Sequence, residues 1–397
     1  MKHVIIGAGE AGLRAAIALR GAGEQHIILL NGETLAPYER PALSKPTNDH
    51  GYHRPIDADV SGIDARIGTL AVDINPVARS IRCDDGADIF YDRLLLATGA
   101  RARKLAMPDM TQALTLRTAS DAKAIYAKAE PGGNAVIIGA GLIGLEMAAE
   151  LNSRGLTVTV VEAGPRALGR AVPALLAGMI VERHGEAGVR FLFDQSVQAI
   201  GPKTVTLGDG TILPADLTIV AIGVEPNVEL ASGAGISCEN GILTDQQLKT
   251  SEDGIYAAGD CAAINHPRYG TMRFETWRNA VDQGSFAAAA MLGSTEAFTA
   301  LPWFWSDQYN LGLQGVGLHK PERTTIRRDL TDGGVLLFEL DEDGILQAAY
   351  GLAKGNLVAK DIRLAEKLIE RNAVIAPENL ADQGYALKSA LKSSAQV

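Results

Sequence analysis

Cysteine is scarce in this chain, with three in 397 residues. Cys83, Cys238 and Cys261 stand far apart, and no C-x-x-C occurs. That spacing argues against a redox dithiol and against a thiolate metal site, and leaves buried or bystander thiols. Long apolar runs are missing as well; none nears the roughly 18 residues that a membrane helix needs. Basic charge is in deficit, with 37 Lys and Arg against 47 Asp and Glu. A formal net charge of -10 argues against nucleic acid as the main partner. The first strand pattern begins at Val4, so no signal peptide is expected and the cytoplasm is the expected location. The length predicts two or three domains.

Glycine, in contrast, is abundant, with 43 residues. Its placement near the start is informative. Val4-Ile5-Ile6 is an apolar strand that runs into Gly7-Ala8-Gly9-Glu10-Ala11-Gly12, spaced G-x-G-x-x-G, and a helical pattern from Leu13 to Arg20 follows. Gly7 allows the tight turn, Gly9 lets a pyrophosphate approach the backbone, and Gly12 lets helix pack on strand. The helix N-terminus supplies free N–H groups and partial positive charge. A second strand, Ile27–Leu30, ends just before Glu33, placed to accept hydrogen bonds from a ribose.

The opening pattern recurs. Ala135–Ile138 leads into Gly139-Ala140-Gly141-Leu142-Ile143-Gly144-Leu145-Glu146, and the next strand, Thr157–Val161, ends at Glu162. An acid there bonds a ribose 2′-hydroxyl and repels a 2′-phosphate, which favours NAD over NADP. Two fingerprints, each completed by an acid, predict two dinucleotide sites. Arg170 follows, either reaching the adenosine side of NAD or solvated.

Other segments are less specific. Arg40 and Lys45 flank Pro41-Ala42-Leu43-Ser44, either meeting an anion or solvated on a surface loop. Buried strands end at Thr98-Gly99 and at Gly223. Gly259-Asp260 closes a short strand, where the aspartate can accept a bond from a polyol such as a flavin ribityl chain. An Ala-rich helix is predicted from about Trp277 to Leu292. After residue 300 come an aromatic run, Trp303-Phe304-Trp305-Ser306-Asp307-Gln308, then hairpin strands and an amphipathic helix near Asp361–Arg371, which predict a small antiparallel α+β cap.

Taken together, the chain resembles the NADH-dependent, FAD-containing ferredoxin reductases that serve Rieske dioxygenases and bacterial cytochromes P450. The resemblance covers essentially the whole chain. It is carried by Gly7–Gly12, Arg40–Lys45, Ala97-Thr98-Gly99-Ala100, Leu116-Arg117-Thr118, Gly139–Glu146, Gly259-Asp260, Glu275-Thr276-Trp277 and Trp303–Gln308. It implies an α/β fold: two Rossmann-like dinucleotide-binding domains of the glutathione-reductase type and a C-terminal α+β domain. The implied division is residues 1–103 and 229–300 for FAD, 104–228 for NAD, and 301–397 for the interface domain.

The resemblance also implies roles. FAD is held by the first glycine turn, with Glu10 and Ala11 within it, by Glu33, Arg40 and Thr98-Gly99, and by the backbone near Ala71. Arg117 and Gly259-Asp260 hold its phosphates and ribityl chain, and Trp277 and Trp305 lie at the flavin edge. Lys45 sits near flavin N5 and pairs with Glu146. NADH lies against the second glycine turn, with Leu142, Ile143, Glu162, Arg170 and Gly223. Ala42 departs from the family motif, which has a second proline there, and the segment 46–54 also differs. The implied partner is an acidic [2Fe-2S] ferredoxin, with the chain a monomer or homodimer. Arg323, Arg327, Arg328, Arg101, Arg103 and Lys104 are candidates for a docking patch.

Ser44 stands near where the disulfide reductases of this superfamily need a thiol, which counts against thiol chemistry. Two alternatives stay open. A rubredoxin reductase differs only in its partner. A non-catalytic, NADH-responsive flavoprotein sensor would use the same sites without turnover.

Overall fold

A computed structural model describes residues 1–45, 52–107, 112–331 and 333–393. Of the segment 46–54, residues 46–51 lie outside the described residues. The chain divides into two compact units, Met1–Arg101 with Val224–Ala300, and Ala102–Gly223 with Leu301–Val397.

In the first unit, the apolar runs form a five-stranded sheet in the order Ile255–Ala257, Arg93–Leu96, Lys2–Ile6, His26–Asn31, Asp64–Ile67. Every neighbouring pair is parallel. Val4 pairs with Ile28 on one side and Leu94 on the other, and Val4, Ile5, Leu94 and Leu95 are fully buried. Continuous apolar strands of this kind require cover on both faces. The helix Glu10–Gly21 supplies part of that cover and packs against Trp277–Met291. A Cβ on Gly284 would lie 2.2 Å from Ala11 O, so glycine sets how closely these helices approach. The unit also holds an antiparallel sheet, Ala71–Asn75 with Ser80–Cys83 and Asp88–Phe90, and a mixed four-stranded one between Cys238 and Met272, whose central pair, Gly241–Thr244 with Ala262–His266, is parallel.

The second unit repeats the plan. Its parallel sheet runs Leu114–Thr115, Leu217–Val220, Asn134–Ile138, Thr157–Val161, Arg190–Leu192. The fingerprint strand is again central, with its successor on one side and the return strand on the other. The helix Leu142–Ser153 follows the glycine turn. The segment from Leu301 forms a five-stranded antiparallel sheet in the order Trp303–Gln308, Leu311–Gly317, Leu346–Lys354, Val335–Leu340, Thr324–Asp329. The helix Ala359–Glu370 buries Ile362, Ala365, Leu368 and Ile369, the face that its spacing predicts. Among the described residues, no helix is long and apolar enough to cross a membrane.

Candidate functional site

In the first unit, an added Cβ shows what each fingerprint glycine does. At Gly7 it would lie 2.2 Å from Ala97 O, and at Gly12 1.8 Å from Gly7 O; at Gly9 it would meet nothing within 4 Å. Gly7 and Gly12 are therefore required by the protein's own packing, whereas Gly9 opens onto free space. Gly9 is also the N-cap of its helix and offers no side-chain cap, so the first N–H groups stay available to an anion. This cradle fits a pyrophosphate.

Around it, Glu10 is buried, accepts from Trp277 Nε1 at 2.9 Å and pairs with Arg14 at 3.1 Å. Thr98 Oγ1 donates to Asn227 O at 2.7 Å, and Asn227 Nδ2 donates back to Thr98 O at 2.8 Å. This reciprocal clasp steadies the turn at Gly99, whose φ is +67°. Gly259, at φ +80°, donates to Gln283 Oε1 at 2.8 Å, and Asp260 is half-buried beside it. Gln283 Nε2 is buried with no partner among the described residues.

Glu33 stands at the end of the second strand. Its carboxylate accepts from Tyr38 Oη and from Arg40, whose guanidinium also stacks 5.2 Å from the Tyr38 ring. Arg40 thus meets an anion, and each Glu33 oxygen keeps a further lone pair for a hydroxyl. Gly68 N donates to Glu33 O at 3.0 Å, which brings the chain leading to Ala71 alongside; Ala71 is buried. Lys45 is half-buried and ends the turn Arg40–Ser44; its N–H bonds Ala42 O at 3.1 Å.

The second unit carries the same device. A Cβ on Gly139 would lie 2.4 Å from Ala221 O and one on Gly144 2.1 Å from Gly139 O, while Gly141 opens onto free space. Gly141 likewise caps its helix without a side-chain bond. Glu162 Oε2 accepts from Ala140 N and Oε1 from Gly164 N, both at 2.8 Å. The acid is therefore anchored against the glycine turn itself. Leu142 and Ile143 start the helix, with Ile143 exposed, and Gly223 holds φ +100°. Arg170 is exposed. Arg166 organises that loop, donating to the carbonyls of Ala167, Leu168, Gly169 and Val172. Nothing in the sequence distinguishes it from Arg170.

Glu146 is buried and accepts from Ser306 Oγ at 2.6 Å. Arg117 is half-buried, and its N–H joins that of Thr118 on Asp121 at the start of the helix Ala119–Lys128. Trp305 is half-buried on its strand, its ring centroid 5.6 Å from that of Trp303.

The candidate docking patch needs correction. Arg328 is buried; it donates to the carbonyls of Leu380, Asn379 and Tyr385 and lies over Phe338. Arg323 turns inward to Leu318 O and Glu339. For Arg328, on the strand Thr324–Asp329, a run of positive charge does not reveal that alternate strand residues face the core; Arg323 lies just before that strand.

Two family descriptions match this chain: pyridine nucleotide-disulphide oxidoreductase over residues 1–284, and reductase C-terminal over residues 303–391. The chain belongs to the pyridine nucleotide-disulphide oxidoreductase family. It is 38% identical to the ferredoxin–NAD(+) reductase component of the anthranilate 1,2-dioxygenase system of Burkholderia cepacia, covering 98% of each chain. It is 37% identical to rhodocoxin reductase of Rhodococcus erythropolis, over 98% of this chain and 94% of that one. The solved covalent complex of putidaredoxin reductase with putidaredoxin contains a chain that matches with a TM-score of 0.91 and 32% identity, over 100% of this chain and 99% of the other. Disulphide chemistry, which gives the family its name, lacks support in this member. All three cysteines are free, and burial raises each thiol pKa, which disfavours the reactive thiolate. Ser44 is buried and donates to Pro41 O at 3.2 Å.

Proposed function

We propose that this chain is an NADH-dependent flavoprotein reductase that passes electrons through FAD to a small [2Fe-2S] ferredoxin serving an oxygenase. The observation that carries the reading is the doubled cradle: two glycine turns, each open at its N-cap glycine and each followed by an acid at the next strand's end. A ferredoxin takes one electron at a time, and a bound flavin supplies the conversion from the two-electron donor. The names of the full-length relatives support the same acceptor class.

The chain's own residues divide the work. Gly9 and the N-terminus of its helix hold the FAD pyrophosphate, Glu33 the adenosine ribose, Asp260 the ribityl chain, and Arg117 a phosphate. Gly141, Glu162 and Gly223 hold NADH, and Glu162 excludes a 2′-phosphate. Lys45 offsets negative charge at the flavin ring, and Glu146 orients that cation. Trp277 and Trp305 border the ring. Lys45 and Glu146 belong to different units, and their assignment as a pair is what the family resemblance implies. Docking uses the exposed cations, with Arg103 and Lys104 as candidates and Arg327 as a third, partly neutralised by Asp329. Arg101 is also exposed but is partly neutralised by Glu225 and Glu229.

Steady-state NADH oxidation with cytochrome c as final acceptor tests the reading. Turnover should depend on an added [2Fe-2S] ferredoxin and fall with rising salt. Negligible turnover under all conditions would favour a sensor; equal turnover with rubredoxin would reassign the acceptor. Lys45→Met should slow flavin reduction by NADH, and an unchanged rate would remove Lys45 from the mechanism.

A further inference from the structure

Behind Glu146 lies a chain of buried polar side chains drawn from three elements of the second unit. Ser306 Oγ donates to Glu146 Oε1 at 2.6 Å, and Gln308 Nε2 donates to Ser306 Oγ at 3.1 Å. Gln308 Oε1 lies 2.8 Å from His184 Nε2. Ser306 and His184 are fully buried, and Gln308 and Glu146 nearly so. Glu146 comes from the helix Leu142–Ser153, Ser306 and Gln308 from the edge strand, and His184 from the last turn of the helix Ala174–Glu186.

The direction of every bond follows from its end. An ionised carboxylate only accepts, so the single Ser306 hydrogen goes to Glu146. The serine oxygen then accepts from the Gln308 amide NH2, which leaves the Gln308 carbonyl facing His184. His184 must therefore carry its proton on Nε2. Its Nδ1 is buried with no partner among the described residues, and burial lowers the imidazole pKa, so the ring is neutral. A one-way series of donors ends on the carboxylate, and each bond polarises the next.

The backbone around this chain is held under strain. Ser306 and Gln308 sit two apart on one strand and so share a face. Tyr309, next in line, adopts φ +55°, which is rare for a bulky residue and persists only where its surroundings enforce it. Its hydroxyl bonds Asn152 Oδ1 at 3.1 Å, and its ring meets His184 edge-on at 5.0 Å. Arg183 reaches Asn310 Oδ1 at 3.2 Å. The hairpin tip is thus pinned to both helices, with the Glu146 contact at the end of the series.

We infer that Ser306, Gln308 and His184 are positioning residues for the step in which NADH reduces the flavin: they hold the Glu146 carboxylate in one orientation. The inference rests on the role proposed above for Glu146. Each is a C-terminal or helix residue outside the glycine turns.

The test uses the full-length, FAD-loaded protein and the variants Ser306→Ala, Ser306→Thr, Gln308→Met and Glu146→Gln. Four quantities are read: the rate of flavin reduction by NADH, the NADH Kd, the long-wavelength charge-transfer absorbance of the NADH-reduced protein, and the flavin midpoint potential. Ser306→Ala should lower the rate about tenfold, the equivalent of one hydrogen bond. It should also weaken the charge-transfer absorbance and leave the Kd within about twofold, less than half of one such bond. Ser306→Thr, which keeps the hydroxyl, should restore both rate and absorbance. Gln308→Met should give a smaller loss of the same kind, and it carries the comparison should Ser306→Ala fail to fold. Wild-type rate, absorbance and potential in Ser306→Ala and Gln308→Met, beside a slow Glu146→Gln, would overturn the positioning role and leave Glu146 in place. Equal losses in Ser306→Ala and Ser306→Thr with unchanged absorbance would reduce the chain to packing. Wild-type behaviour of Glu146→Gln would remove Glu146 itself, and the inference with it.

Discussion

Glu162 and Ala140 are joined across the second nucleotide turn: the Ala140 N–H donates to the Glu162 carboxylate at 2.8 Å, and Gly164 N–H holds the other oxygen at the same distance. The acid that would read the ribose is therefore part of the turn that would hold the phosphates. Glu162→Gln keeps the size and removes the charge that opposes a 2′-phosphate. The ratio of kcat/KM for NADH over NADPH should fall about tenfold. An unchanged ratio would show that the acid takes no part in the choice.

The glycines of each turn should separate into two classes. Gly12→Ala and Gly144→Ala drive a methyl into a carbonyl, 1.8 Å and 2.1 Å away, and should lower the melting temperature of the whole protein. Gly9→Ala and Gly141→Ala meet free space and should fold normally. Gly9→Ala should then bind FAD weakly, seen as lost blue absorbance after gel filtration. Gly141→Ala should keep its colour and raise the KM for NADH. Normal FAD retention by Gly9→Ala would mean that the cradle is not a phosphate site.

Two neighbouring arginines on one strand should behave differently. Arg328→Ala removes a buried cation that serves three carbonyls and should cost about 2–4 kcal/mol of stability, read by chemical denaturation. Arg327 pairs with Asp329 on the surface, and Arg327→Ala should change stability by less than about 1 kcal/mol. If Arg327 helps docking, its loss should flatten the salt dependence of ferredoxin reduction.

Acid should destabilise the protein earlier than carboxylates require. His3, His184 and His266 are buried, and burial is the main cause that lowers each pKa below 6.5. The unfolded chain takes up protons near that value while the folded chain resists them. Stability is therefore whole above about pH 6.5 and falls as the pH drops below it. Melting temperatures across that range should show the slope, and His266→Gln should flatten it. A flat profile in the wild type would contradict the assignment.

Much of the fold was legible because it is local and periodic. The strands at Val4, Ala135 and Thr157, the glycine turns, and the apolar face of the helix Ala359–Glu370 follow from side-chain spacing and from conformations open mainly to glycine. So do the acids at Glu33 and Glu162, since a strand–turn–helix–strand unit of fixed length must deliver them to the same edge. Scarce cysteine likewise turned the reading away from thiol chemistry.

What spacing could not supply was partnership between distant segments. Arg328 reads as a free cation until the neighbouring turn covers it. Asn227 clasps Thr98 from far along the chain. Ser306 and Gln308 lie in the aromatic run that marks the family, but nothing local ties them to His184 or to Glu146. Their bonds exist because a C-terminal hairpin folds back onto two helices, and the cost of burying a polar group unmatched leaves few ways for that packing to close.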